Sequence, residues 1–169
     1  MESSPNKGST FTAGFLAPAI QGNASLIGLD TDVPPVGLRV LLAEDGPDNR
    51  VLIEHLLGRL GAQTVAVENG REAVDRVLDG SATFDVLILD MQMPIMDGWE
   101  AARQLRNVGS EIAILALTAN ALPGDRKTCL EAGCDGFLTK PVRRQELASG
   151  LVEVLAASQN RRGPIRVAG

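Results

Sequence analysis

Basic clusters, long apolar runs, cysteine and histidine are scarce in this sequence, and each scarcity excludes something. Lys and Arg number 16 against 21 Asp and Glu, for a formal net charge of −5. An acidic balance excludes a nucleic-acid surface, which needs clustered positive charge. The one local basic pair, Arg161-Arg162, reads as a solvated tail. The 2 cysteines, Cys129 and Cys134, cannot build a disulfide framework and lack the partners of a zinc site. They read as small buried hydrophobes in a reducing cytoplasm. No apolar run approaches the roughly 18 residues that span a bilayer, and the N-terminus lacks the basic-then-apolar layout of a signal peptide. The expectation is a cytoplasmic, soluble piece without membrane contact. The single histidine, His55, sits in a helical stretch with no base or metal partner nearby. It reads as a surface or satisfied side chain, not as a phosphohistidine.

What is present is a regular alternation. Of the 169 residues, 44% are hydrophobic, enough for a buried core. Residues 1–35 are rich in Gly, Ser, Thr and Pro and read as a disordered tail or linker. From Leu38 onward, short apolar runs appear at Leu38–Ala43, Thr64–Val67, Phe84–Leu89, Ile112–Leu117 and Gly136–Thr139. The strong runs alternate little, as strands do when both faces are buried in a parallel sheet. Helical periods lie between them. Pro47–Leu60 carries Leu52, Leu56 and Leu60 on one face beside Ile53 and Leu57, with Pro47 suited to the first turn and Gly61 following the last. Asn69 and Asp97 are candidate caps for the second and third helices. A fourth helix runs from about Pro123 to Ala132, and a fifth carries Leu147, Leu151, Val154 and Leu155. Strand followed by helix, repeated, predicts an α/β doubly wound parallel sheet with helices on both faces. Ligands of such sheets bind at the carboxyl ends of the strands, near the point where strand order reverses.

Chemistry-bearing residues collect at those ends. Glu44 and Asp45 follow the first run, Asp90 the third, Thr118 the fourth and Lys140 the fifth. Any one of them is unremarkable, since acidic residues favour turns and helix starts. Their coincidence at the strand ends is not. Three carboxylates held together repel one another and call for a cation. Mg²⁺ suits such a set, because it takes one or two carboxylates, waters and phosphate oxygens. A central carboxylate can then act as a nucleophile and form an acyl phosphate. An ammonium and a hydroxyl are the groups that stabilise the charge spread over a transferring phosphoryl group.

The stretches LLAEDGPDNR (41–50), VLILDMQMPIMDGWEAAR (86–103), ILALTAN (114–120) and GCDGFLTKP (133–141), in this order and spacing, resemble the response-regulator receiver domain over residues 36–157. The resemblance implies a flavodoxin-like five-stranded sheet in the order 2-1-3-4-5 with five helices. It implies that Asp90 is the phosphoacceptor, that Asp45 ligates Mg²⁺ directly and Glu44 through water, and that Gln92 offers its backbone carbonyl to the metal. Thr118 takes the position of the switch hydroxyl, Lys140 that of the lysine paired with the phosphoryl group, and Phe137 that of the rotating aromatic. Many relatives have Tyr at that last position; Phe lacks the hydroxyl. The Lys140–Pro141 bond is expected to be cis. Pro94 and Gly98 read as shaping the loop after Asp90. Trp99 is either a packing residue or a partner contact.

Residues 1–18, with SPNKGSTFTAGF at Ser4–Phe15, resemble the end of a histidine-kinase ATPase domain, although the ATP-binding boxes are absent. The resemblance implies the C-terminal receiver of a hybrid sensor histidine kinase, a class of parent protein that can be membrane-anchored. The implied partners are a histidine-kinase phosphodonor domain, a histidine phosphotransfer protein, or both, and the piece itself is expected to be monomeric. Residues 158–169 are expected to be a flexible tail with no room for a DNA-binding output domain. Two other readings compete. A haloacid-dehalogenase-type phosphatase also uses a strand-end Asp and Mg²⁺, but wants a second Asp where Gln92 stands. A receiver acting only as a docking scaffold is disfavoured because Asp45, Asp90, Thr118 and Lys140 are all in place.

Overall fold

The computed structural model describes residues 34–80, 82–119 and 123–161. The expected tail and kinase-like stretch before residue 34, and residues 162–169, lie outside the described residues. Strands and helices alternate: β1 (Arg39–Ala43), α1 (Pro47–Arg59), β2 (Gln63–Val67), α2 (Gly70–Leu78), β3 (Val86–Asp90), α3 (Gly98–Asn107), β4 (Ala113–Thr118), α4 (Pro123–Glu131), β5 (Gly136–Thr139) and α5 (Arg144–Arg161). The sheet is parallel throughout, in the order β2-β1-β3-β4-β5.

The apolar runs lacked alternation because each face of the sheet has its own core. Leu41, Ala43, Leu87, Leu89, Ile114 and Ala116 point to one side, where they meet Ala73, Val74, Ala101, Leu105 and Cys129 of α2, α3 and α4. Val40, Leu42, Val86, Ile88, Leu115 and Leu117 point to the other, against Ile53, Leu57, Leu147, Leu151 and Val154 of α1 and α5. Successive residues of a strand thus serve opposite cores, and a one-residue slip would exchange them.

Helix ends follow their residues. Asn69 accepts from Glu72 N (2.9 Å) while its Nδ2 donates to Glu72 Oε1 (2.8 Å), a reciprocal cap on α2. Asp97 accepts from Glu100 N (2.7 Å) at the start of α3. On α1 the buried arc centres on Ile53 and Leu57, with Leu56 and Leu60 packed at its edge. Leu52 is 44% exposed, contrary to the stripe read from sequence. At about 100° per residue it lies roughly 100° from Ile53 and 140° from Leu57, beyond the edge that Leu56 marks.

Two further expectations need correction. β3 and β4 begin later than their apolar runs and end one residue further on, so Asp90 and Thr118 are the last residues of strands. Asp90 is in register with Leu117, and Thr118 with Thr139. The ladder therefore fixes their backbones directly. The boundary at 157 is also too early: α5 continues to Arg161, and Ser158 is buried. Arg161 is no solvated tail, since its guanidinium lies 2.5 Å from Asp135 Oδ1.

Candidate functional site

β1 lies between β2 and β3, so the connections leaving β1 and β3 cross to opposite faces, and a crevice opens between them. The residues singled out from sequence meet there. Carboxylate oxygens of Glu44, Asp45 and Asp90 all lie within 4.8 Å of one another. Glu44 and Asp90 are buried, at 1% and 4% exposure, whereas Asp45 is exposed. Lys140 Nζ lies 2.6 Å from both Glu44 Oε2 and Asp90 Oδ2. Its approach to Asp90 is an aligned hydrogen bond; Glu44 Oε2 is held by the charge contact without an aligned donor.

Each member is placed by backbone. Glu44 N donates to Val67 O (3.1 Å), tying the end of β1 to β2. Glu44 Oε1 accepts from Gly46 N (3.3 Å) and Asn49 Nδ2 (3.2 Å), in the first turn of α1. Asp90 Oδ1 accepts from Gln92 N at 3.0 Å, so its two oxygens have separate donors. Met91 N donates to Leu117 O (2.9 Å) and Lys140 N to Thr118 O (2.8 Å), carrying the ladder past the site. Thr118 is 5% exposed at the end of β4. The Lys140–Pro141 bond is cis, as expected. Phe137 lies in β5 and packs against the core on the α2–α3–α4 side, where Trp99 packs as well. His55 is exposed on α1.

The loop from Asp90 to α3 is held by Gly98. Its N–H donates to Met91 O (3.2 Å), and a Cβ there would run into Asp90 O and the Met91 backbone. Sequence reading marked Pro94 and Gly98 but missed Ile95. That residue has φ +69° and is 82% exposed. A β-branched side chain rarely takes this conformation, and no sequence signal announces it.

Electrostatically, three carboxylates face one ammonium. Burial alone would lower the Lys140 pKa. The short contacts and charges of Asp90 and Glu44 more than reverse this, so it stands above the ordinary lysine value. The residual negative charge and the all-oxygen donor set suit a hard divalent cation. One exposed carboxylate beside two buried ones leaves an open side, as a partly hydrated ion requires. Gln92 is exposed beside Asp90, and its side chain carries an amide instead of a second acid.

Residues 40–151 match the family of response regulator receiver domains. The chain is 41% identical over 112 residues to the two-component response regulator ORR41 of Oryza sativa subsp. japonica, covering 65% of this chain and 88% of that protein. It is 35% identical over 133 residues to the sensor histidine kinase GacS of Pseudomonas protegens, covering 76% of this chain but 14% of the kinase. Among solved structures, the receiver domain of the sensor histidine kinase PA1611 from Pseudomonas aeruginosa, which has a magnesium ion coordinated in its active-site cleft, matches with a TM-score of 0.64 and 37% identity. That match covers 72% of this chain and 99% of the other.

Proposed function

The chain belongs to the response-regulator receiver family of two-component phosphorelays, and from that premise we propose that Asp90 is its phosphoacceptor. A carboxylate oxygen of Asp90 attacks the phosphorus of a phosphohistidine. The new P–O bond forms as the P–N bond breaks, and the donor imidazole leaves with its electron pair. Lys140 holds the receiving carboxylate and faces the charge on the transferring group. Thr118, at the neighbouring strand end, supplies a hydroxyl donor. Glu44, Asp45, Asp90 and the Gln92 carbonyl would hold Mg²⁺, which supplies charge neutralisation for the incoming phosphate oxygens. The observation that carries this reading is the placement of Lys140 Nζ at 2.6 Å from both buried carboxylates. An acceptor and its charge partner are assembled before any donor arrives.

Phosphorylation draws Thr118 toward the phosphoryl group and lets Phe137 follow, changing the surface around α4 and β5. The donor is a histidine-kinase domain or a histidine phosphotransfer protein, and the similarity to GacS supports a hybrid-kinase parent. The domain works as a monomer in the cytoplasm. Among the described residues, no helix is long and apolar enough to cross a membrane.

The decisive experiment incubates the protein with Mg²⁺ and acetyl phosphate, or with beryllofluoride. The expected result is an acid-stable, base-labile mass increase on Asp90, absent in Asp90→Asn. No modification together with no Mg²⁺-dependent spectral change would sink the reading. Sustained turnover of phosphate esters would point to a phosphatase instead.

A further inference from the structure

At the end of β5 remote from Lys140, one carboxylate gathers three elements. The Asp135 side chain is 4% exposed. Its Oδ2 accepts from Ile114 N (2.8 Å), Arg106 Nη2 (3.1 Å) and Arg161 Nη2 (2.9 Å). Its own N–H donates to Ile114 O at 2.8 Å. Asp135 therefore grips both polar groups of a β4 residue while α3 and α5 grip Asp135. Arg106 donates further to Gly133 O (2.9 Å) and Ser110 O (2.8 Å). Gly133 admits it by lacking a side chain: at φ +99°, a Cβ would sit 2.5 Å from Arg106 Cγ. Burial, then the neighbouring Arg161 charge, hold Arg106 below the ordinary arginine value, with Asp135 pulling the other way. The two guanidiniums tolerate each other because the carboxylate lies between them.

β5 needs such a device. It is an edge strand of 4 residues, pairing with β4 alone, and all of its residues are only partly buried. Short edge strands specify their register weakly, yet a one-residue slip would turn every side chain to the other face. Phe137 would leave its core, and Lys140 would leave Asp90.

We propose that Asp135, clamped by Arg106 and Arg161, is a positioning residue for phosphoryl acceptance: it sets β5 on β4 and so places Lys140 Nζ between Asp90 and Glu44. The proposal rests on the reading of Asp90 and Lys140 given above. It means that the last turn of α5 reaches the phosphoryl site through one short strand.

The test compares Asp135→Asn, Arg161→Ala and Arg161→Lys with the wild type, and with Ile53→Val as a core variant remote from the clamp. Two quantities are read: the hydrogen-exchange protection of the Lys140 backbone N–H, which donates to Thr118 O, and the initial rate of phosphorylation by acetyl phosphate at saturating Mg²⁺. Asp135→Asn and Arg161→Ala are expected to lower that protection roughly three- to tenfold and to slow phosphorylation by a similar factor. Arg161→Lys restores part of both, and Ile53→Val moves neither. Unchanged protection in both clamp variants, an unchanged rate in both, or an equal loss of protection in Ile53→Val overturns the proposal. Should Asp135→Asn fail to fold, Arg161→Ala at the exposed helix end decides. Should the wild type take no phosphoryl group, the assignment of Asp90 falls, while the protection of the Lys140 N–H still decides the clamp.

Discussion

Lys140 Nζ stands 2.6 Å from Asp90 Oδ2, with the side chains 19% and 5% exposed. Burial opposes the ammonium, yet Asp90 and Glu44 together raise its pKa above the ordinary 10.5. A raised folded-state value means that the stabilisation is fully present below pH 10.5 and is lost as pH rises through the folded-state value. Lys140→Met therefore destabilises the apo protein by about 1–3 kcal/mol at neutral pH, less than for a fully buried pair because solvent reaches the ammonium. The deficit relative to wild type holds constant from pH 7 to pH 10 and shrinks above pH 10.5. Urea denaturation across that range measures it, and a deficit that grew above pH 10.5 would contradict the sign.

The crowding of Glu44, Asp45 and Asp90 within 4.8 Å sets a second expectation. Without divalent cations, the three carboxylates repel and Lys140 balances them only partly. Asp90→Asn is then more stable than wild type in EDTA, by about 1 kcal/mol. Mg²⁺ reverses the order, since an ion at one hundred times its Kd adds about 2.7 kcal/mol to the protein that binds it. Thermal melts with and without Mg²⁺ show whether the two curves cross. Parallel curves would mean that Asp90 is no part of the ion's site.

Ile95 gives a test of local strain. Its φ of +69° suits glycine, and its side chain is 82% exposed, so truncation removes little packing. The left-handed conformation costs roughly 1–2 kcal/mol for a side-chain-bearing residue, and the extra freedom of an unfolded glycine returns about half of this. Ile95→Gly is expected to stabilise by about 0.5–1 kcal/mol in denaturant melts with an unchanged m-value. A destabilisation of that size would mean that the Ile95 side chain makes contacts worth more than the strain.

The sheet, its helices and the meeting of Glu44, Asp45, Asp90, Thr118 and Lys140 were legible because they rest on local signals. Apolar runs mark the strands, capping residues mark the helices, and polar residues mark strand ends whose convergence a parallel sheet guarantees. Three things were not legible. The partition of strand residues between two cores follows a period of two that full burial erases from the hydrophobic pattern. The strain at Ile95 belongs to a loop geometry imposed by Gly98 and its neighbours. The clamp at Asp135 joins Arg106 and Arg161 across 29 and 26 residues of sequence. Its members have no shared spacing, so Arg161 read as a tail residue. Side-chain contacts at long separation appear once the fold has brought them together.

The cysteines offer a last discriminating measurement. Cys129 and Cys134 are 1% and 5% exposed. They stand at the end of α4, where Cys134 N donates to Cys129 O (3.0 Å) around Gly133. Burial first, and the neighbouring Cys129 second, push the Cys134 thiol up to about 12. At pH 8 almost none of it is thiolate, and the thiolate is the nucleophile. Alkylation by iodoacetamide at pH 8 is therefore expected to track unfolding, rising with urea along the same curve as the circular dichroism. Stability carries the matching signature. The buried thiol contributes fully below the unfolded-state value of 9.0, and the contribution fades as pH rises from there toward about 12. Cys134→Ala removes that alkaline loss, at a cost at neutral pH of about 1 kcal/mol for the lost packing. Rapid labelling of Cys134 in the folded protein would show instead that the end of α4 opens readily, and that the packing between α4 and β5 is looser than these contacts imply.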